Sequence, residues 1–130
     1  MTSSFFIRFS RSADEMKGFN TSQFRENFLV DGIFRPDHIS VTYSMQDRFV
    51  IGGAQPVGEA LAMPAFEDLT KASFFLERRE MGIINVGGPG MVSVDGVAFP
   101  LGFKDALYVG KGTRELVFRS DSSAEPAKFY

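Results

Sequence analysis

From Ile39 onward the chain alternates apolar and polar residues with a period of two. Ile39, Val41 and Tyr43 alternate with Ser40, Thr42 and Ser44, which predicts a strand with one wet face. Gln46-Asp47-Arg48 breaks the pattern, and Phe49-Val50-Ile51 predicts a short strand ended by Gly52-Gly53. Residues 56–70 read as loop, with a strand at Ala60–Met63. The clearest hairpin spans Met91 to Leu101, because Asp95-Gly96 is a two-residue type I′ turn signal between alternating runs. That loop length sets Val94 against Val97 and Val92 against Phe99. Val92, Val94, Val97, Phe99 and Leu101 then share a face, expected to be core. Pro100 has no N–H for a ladder, so its strand is expected at an edge. Two more strands are predicted at Ala106–Val109 and Glu115–Arg119, joined by Gly110-Lys111-Gly112.

The first third of the chain reads differently. Ser12-Ala13-Asp14-Glu15 is a capping box, predicting a short helix to about Lys17 and a stop at Gly18. Thr21 or Ser22 caps a second short helix, on which Phe24 and Phe28 share a face. Met1 to Arg11 is read as a frayed or docked terminus, since its apolar part is only Phe5-Phe6-Ile7 and Asp14 and Glu15 follow soon after. About eight short strands with Gly-rich turns predict an all-β chain, an antiparallel β-sandwich or barrel with short N-terminal helices.

Composition narrows the chemistry. With 130 residues, 44% apolar and 23% charged, the chain is long enough for one folded domain with a real core. A net charge of −2 argues against a nucleic-acid or anionic-membrane surface, and no apolar run approaches a membrane span. The expected compartment is the cytoplasm. Cysteine is absent, which excludes disulfides, thiolate catalysis and Cys-ligated zinc, and one histidine leaves no His-rich metal site in this chain. The 15 Phe and no Trp point to a packed β core.

The segment Phe74 to Gly88, FFLERREMGIINVGG, embeds Glu77, Arg78, Arg79 and Glu80 between apolar stretches. On a straight strand Glu77 and Arg79 share one face, and Arg78 and Glu80 the other. A charge in a buried sheet needs a partner or a cavity. One reading is an Arg that grips a substrate carboxylate with a Glu in support. The reading favoured by the residues alone is a structural ion network, within the sheet or at a subunit interface, for Glu77 and Glu80, and the pair Asp47-Arg48 likewise reads as a structural turn network. Asp105 is expected to tie down a turn, and Lys111, between two glycines, is a candidate anion ligand. Neither glycine loop has P-loop spacing, which argues against a phosphate cradle. His38, alone near a strand start, reads as a surface or hydrogen-bonded histidine rather than a ligand or base.

Five blocks taken in order carry a resemblance. They are Arg25-Glu26-Asn27-Phe28-Leu29; Tyr43-Ser44 with Asp47-Arg48 and Gly52-Gly53; FLERREMGIINVGG (75–88); DALYVGKG (105–112); and PAKFY (126–130). The chain from about Thr21 to Tyr130 resembles the amino-terminal half of the 5-keto-4-deoxyuronate isomerases, also called 4-deoxy-L-threo-5-hexosulose-uronate ketol-isomerases. Residues 1–20 form an N-terminal segment outside that resemblance, and residues 21–130 the resembling domain.

The resemblance implies a cupin-like fold, an aldose–ketose isomerisation in pectin or polyuronide breakdown, a zinc ion and a homo-oligomer, usually a hexamer. It also implies a carboxy-terminal half beyond this chain, carrying a His-x-His, a Glu and a later His as metal ligands. When Glu77-Arg78-Arg79 is laid on the corresponding Glu-Arg-Arg of that half, Phe74 and Leu76 fall at the two His positions and Met81 at the Glu. No zinc and no catalytic residue is therefore expected in this chain. The expected role is packing and oligomerisation, with Arg78 and Arg79 the residues for any contact with a uronate carboxylate. The alternative is a stand-alone, non-catalytic module that binds a sugar acid or a protein partner. A metal-free isomerase using Glu77 or Glu80 as base is the weakest reading, because it lacks an electrophile for the enediolate unless an Arg serves.

Overall fold

In the computed structural model, residues 2–130 are described. Nine strands and three short helices follow in the order β1 (Thr2–Arg8), α1 (Ala13–Met16), α2 (Thr21–Phe28), β2 (His38–Ser44), β3 (Phe49–Gln55), β4 (Leu61–Ala62), α3 (Glu67–Thr70), β5 (Met81–Ile84), β6 (Gly90–Val94), β7 (Val97–Leu101), β8 (Ala106–Val109) and β9 (Leu116–Ser120). They form an all-β sandwich from three sheets, ordered β1-β2-β3, β4-β9-β6-β7 and β5-β8. The end of the chain joins the first and third sheets. Phe129 exchanges both backbone hydrogen bonds with Ala54 of β3, and Tyr130 exchanges both with Ile84 of β5, all at 2.8–2.9 Å. Between the layers lies one core, in which Ile39, Val41, Leu61, Leu76, Ile83, Val92, Phe118 and Phe129 are buried.

Local turn chemistry explains the elements it controls. Ser12 and Glu15 make the reciprocal capping box of α1. α2 is capped one residue earlier than the sequence predicts, by Asn20, whose side chain accepts from Gln23 N–H while Gln23 reaches back to Asn20 N–H. Asp95 and Gly96 both have positive φ, as a type I′ turn requires, and pair Val94 with Val97 and Val92 with Phe99. Pro100 sits on β7, an edge strand.

Four sequence expectations need correction. The terminus is docked, with Thr2 to Arg8 paired in parallel with β2 over seven residues, so it is the expectation of a purely antiparallel sandwich that changes. β3 does not end at Gly52-Gly53 but runs through them to Gln55. A Cβ at Gly53 would collide with the backbone of Ile33, so the 33 segment covers the Gly53 side of the sheet. Ser40, the partner of Gly53 across the ladder, lies on that side, and it and Thr42 are buried rather than wet. Finally, β7 flares past the core. Leu101 is buried, but Val97 and Phe99, toward the turn end of this edge strand, are exposed.

Asp37 fastens the entry to β2. It sits at positive φ, and its Oδ1 accepts from the backbone N–H groups of Val57, Gly58 and Glu59. The Val57 and Gly58 bonds hold its carboxyl below the ordinary value of 3.8. Below 3.8 the unfolded chain takes up the proton first, so the stabilisation is complete above 3.8 and disappears as pH falls through the native value. Asp37→Asn keeps the shape but loses the charge. The variant is expected to be less stable at neutral pH, with the gap closing on acidification in denaturation series. A gap constant with pH would show that the charge is not involved.

Candidate functional site

The sandwich opens into a cavity of about 750 Å³. Its buried surface is Ile39 and Val41 of β2, Phe75, Phe118 and Phe129. Residues 49–54 of β3, 81–84 of β5 and 106–108 of β8 form its walls. Phe49, Tyr108 and Tyr130 are exposed and lie at the opening. Arg48, Arg79 and Glu80 are the charged residues of the lining.

The segment that carries the charges is not a strand where the sequence places one. No strand forms over residues 74–80, where bends and turns follow one another and Phe75 and Leu76 are both buried. Phe74 C=O accepts from Glu77 N–H, closing a turn, Leu76 C=O accepts from Gly112 N–H in the distant 110–112 loop, and β5 begins only at Met81. The expected pairing of faces is therefore lost. Arg78 points outward, 70% exposed, with its Nε 3.9 Å from Glu77. Arg79 turns inward, its guanidinium 5.5 Å from the Phe75 ring and 6.0 Å from the Tyr43 ring.

A row of rings holds that position. Phe5 of β1 packs edge-on against Phe66 at 5.8 Å, and Phe66 packs edge-on against Phe75 at 6.2 Å. A guanidinium on two ring faces gains cation–π stabilisation, while the N–H donors at its edge stay free to bond elsewhere.

Within the chain, Glu77 and Glu80 make separate contacts. Glu77 accepts weakly from Ser73 N–H and faces Arg78. Glu80 accepts from the Tyr108 hydroxyl at 2.5 Å, which raises the phenol above its ordinary value. Among the described residues, no carboxylate lies within 4 Å of Arg48 or Arg79, and Asp47 joins neither Glu77 nor Glu80. Asp105 ties down its turn by accepting from Gly102 N–H at 2.7 Å. Lys111 is exposed on the 110–112 turn and does not line the cavity.

Nor do the residues fit a zinc ion. Among the described residues, no three His, Asp or Glu side chains converge. His38 lies 2.9 Å from Ser4 Oγ, a link between β1 and β2, and 3.3 Å from Arg35. Partial burial and the Arg35 charge lower its pKa.

Sequence reasoning missed Asn85, which is fully buried beside the cavity wall. Its Nδ2 donates to the carbonyls of Gly88 and Leu101, and its Oδ1 accepts from Gly87 N–H and Lys128 N–H. The available signal was an amide inside the apolar run Ile83-Ile84-Asn85-Val86, just before Gly87-Gly88.

No family model matches the chain. It is 47% identical over all 130 residues to 4-deoxy-L-threo-5-hexosulose-uronate ketol-isomerase 1 of Bacteroides thetaiotaomicron, covering 46% of that protein. The same-named protein of Formosa agariphila is 44% identical over 130 residues, again with 46% of its length covered. That of Enterobacter sp. (strain 638) is 45% identical over 127 residues, with 45% covered. The chain matches the amino-terminal half of the uronate ketol-isomerase family. It spans about half the length of the curated relatives it matches. Identity at this level over the whole chain includes residues 1–20, which the motif resemblance left out and which supply the Phe5 contact behind Arg79. Among the described residues no helix is long and apolar enough to cross a membrane.

Proposed function

We propose that this chain is the framework domain of a uronate ketol-isomerase, a cupin-like half that supports packing and oligomerisation and does not turn over substrate alone. The observation that carries the reading is the 47% identity across the whole chain to a protein of that name. The proton transfer of an aldose–ketose isomerisation needs a base and a group that stabilises an enediolate. The carboxylate best placed at the cavity, Glu80, is held by Tyr108, and among the described residues no three His, Asp or Glu side chains converge to hold a metal. Zinc and catalysis are accordingly assigned to the other half of the family's length. Exposed Phe49, Val97, Phe103 and Tyr108 support a role in association between subunits or halves.

Two measurements test this. The purified chain is expected to show no isomerase turnover on the unsaturated uronate, either with added zinc or with EDTA, beside an active full-length relative as control. Zinc-dependent turnover would overturn the reading. In light scattering the chain is expected to self-associate, and a clean monomer at high concentration would count against an oligomerising role.

Of the two arginines expected to meet a substrate carboxylate, Arg79 is the one that lines the cavity, and Arg78 faces solvent. That placement favours one second reading, a module that binds an organic acid in the cavity.

A further inference from the structure

We propose that the cavity is a binding site for an organic acid with one carboxylate and an apolar body, with Arg79 as the anchor for the carboxylate. The inference goes beyond the isomerase reading and does not rest on it. A cavity of about 750 Å³ falls within the range of sites for small molecules. Its deep surface, from Ile39 and Val41 to Phe75, Phe118 and Phe129, offers no polar side chain. A polyhydroxylated sugar acid placed there would leave its hydroxyls without partners, at a cost for each one. An alkyl or aryl body loses nothing in that surface and gains by leaving water.

Charge is confined to the residues near the opening. Arg79 is fixed over two rings and Arg48 lines the same opening, and neither has a carboxylate within 4 Å among the described residues. Glu80 supplies one opposing charge, but its carboxylate is engaged by Tyr108. The lining therefore carries two cations against one anion, with the more constrained guanidinium presenting a donor edge that suits a carboxylate.

The test is calorimetry on the chain as it stands, with octanoate, 1-octanol and galacturonate as probes. Octanoate is expected to bind one to one. Octanol should bind at least about tenfold more weakly, the ratio that a charged hydrogen bond confers. Galacturonate, which has the carboxylate without the apolar body, should not bind measurably. Arg79→Met keeps an apolar stem over the rings and should bring octanoate down to the affinity of octanol, with melting temperature as the check on folding. Equal binding of octanoate and octanol to the unaltered chain would overturn the anchor. No binding of octanoate, or preferential binding of galacturonate, would overturn the site.

Discussion

Asn85→Leu is expected to destabilise the chain by about 4 kcal/mol, near the upper end of single-substitution effects. Leucine fits the volume and suits the apolar surroundings, so a purely hydrophobic account predicts little change. The hydrogen-bond account predicts the opposite. Asn85 satisfies four backbone groups at once: the carbonyls of Gly88 and Leu101, at 2.8 and 2.9 Å, and the N–H groups of Gly87 and Lys128, at 3.0 and 3.2 Å. Each buried group left without a partner costs about 1–3 kcal/mol, and those nearer the surface recover part of this from water. The residue also joins three separate stretches of chain: the turn after β5, the end of β7 and the strap that leads to Phe129. Denaturant midpoints with an unchanged slope would measure the loss. A loss below about 1 kcal/mol would mean that water replaces the amide.

Asn85→Asp separates this from a simple packing effect. The ionised side chain cannot donate to the Gly88 and Leu101 carbonyls that face it, and the site is fully buried, so its pKa rises. The folded state then holds the proton where the unfolded chain, near 3.9, has released it. Stability of this variant must fall as pH rises above about 4. That is the opposite sign to the Asp37 effect.

What the sequence shows is what neighbours along the chain decide. The Ser12 capping box, the Asp95-Gly96 hairpin with its register, and the strand at Ala106–Val109 follow from local chemistry, and the structure has all three. Period-two alternation says which residues share a face but not what lies opposite that face. Hence Ser40 and Thr42 read as wet although they are buried, and Val97 and Phe99 read as core although the edge strand leaves them exposed. The charged run from Glu77 to Glu80 shows the same limit at the site. Its residue types pointed to a carboxylate or an ion network, but a period cannot orient side chains on an irregular segment. Which arginine turns inward is decided by the aromatic row from Phe5 through Phe66 to Phe75, whose members are far apart in sequence. The cavity has no local signal either, because β2, β3, β5, β8 and the end of the chain all contribute to it.

Phe129→Ala is expected to cost about 3 kcal/mol, toward the lower end of buried Phe→Ala losses. The ring is 2% exposed and packs on Phe118 at a centroid distance of 5.5 Å. It also lines the cavity, so the space it vacates joins an existing opening that water can enter, which relieves part of the usual penalty for an empty void. The backbone bonds to Ala54 survive the substitution in principle, since alanine retains both groups. They lose the side chain that seats them. Phe129 and Tyr130 join β3 to β5, so weaker seating should speed hydrogen exchange at the Ala54 and Ile84 amides more than at amides within the β6–β7 hairpin. Phe28→Ala is the matched control. That ring is 42% exposed on α2 and meets only Phe24 among the described ring pairs, so its loss should be below about 1 kcal/mol. Equal losses for the two variants, or uniform exchange across both sheet junction and hairpin, would show that the end of the chain does not hold the layers together. A larger loss at Phe129, with exchange concentrated at Ala54 and Ile84, would place the mechanical link between the two sheets at the wall of the cavity itself.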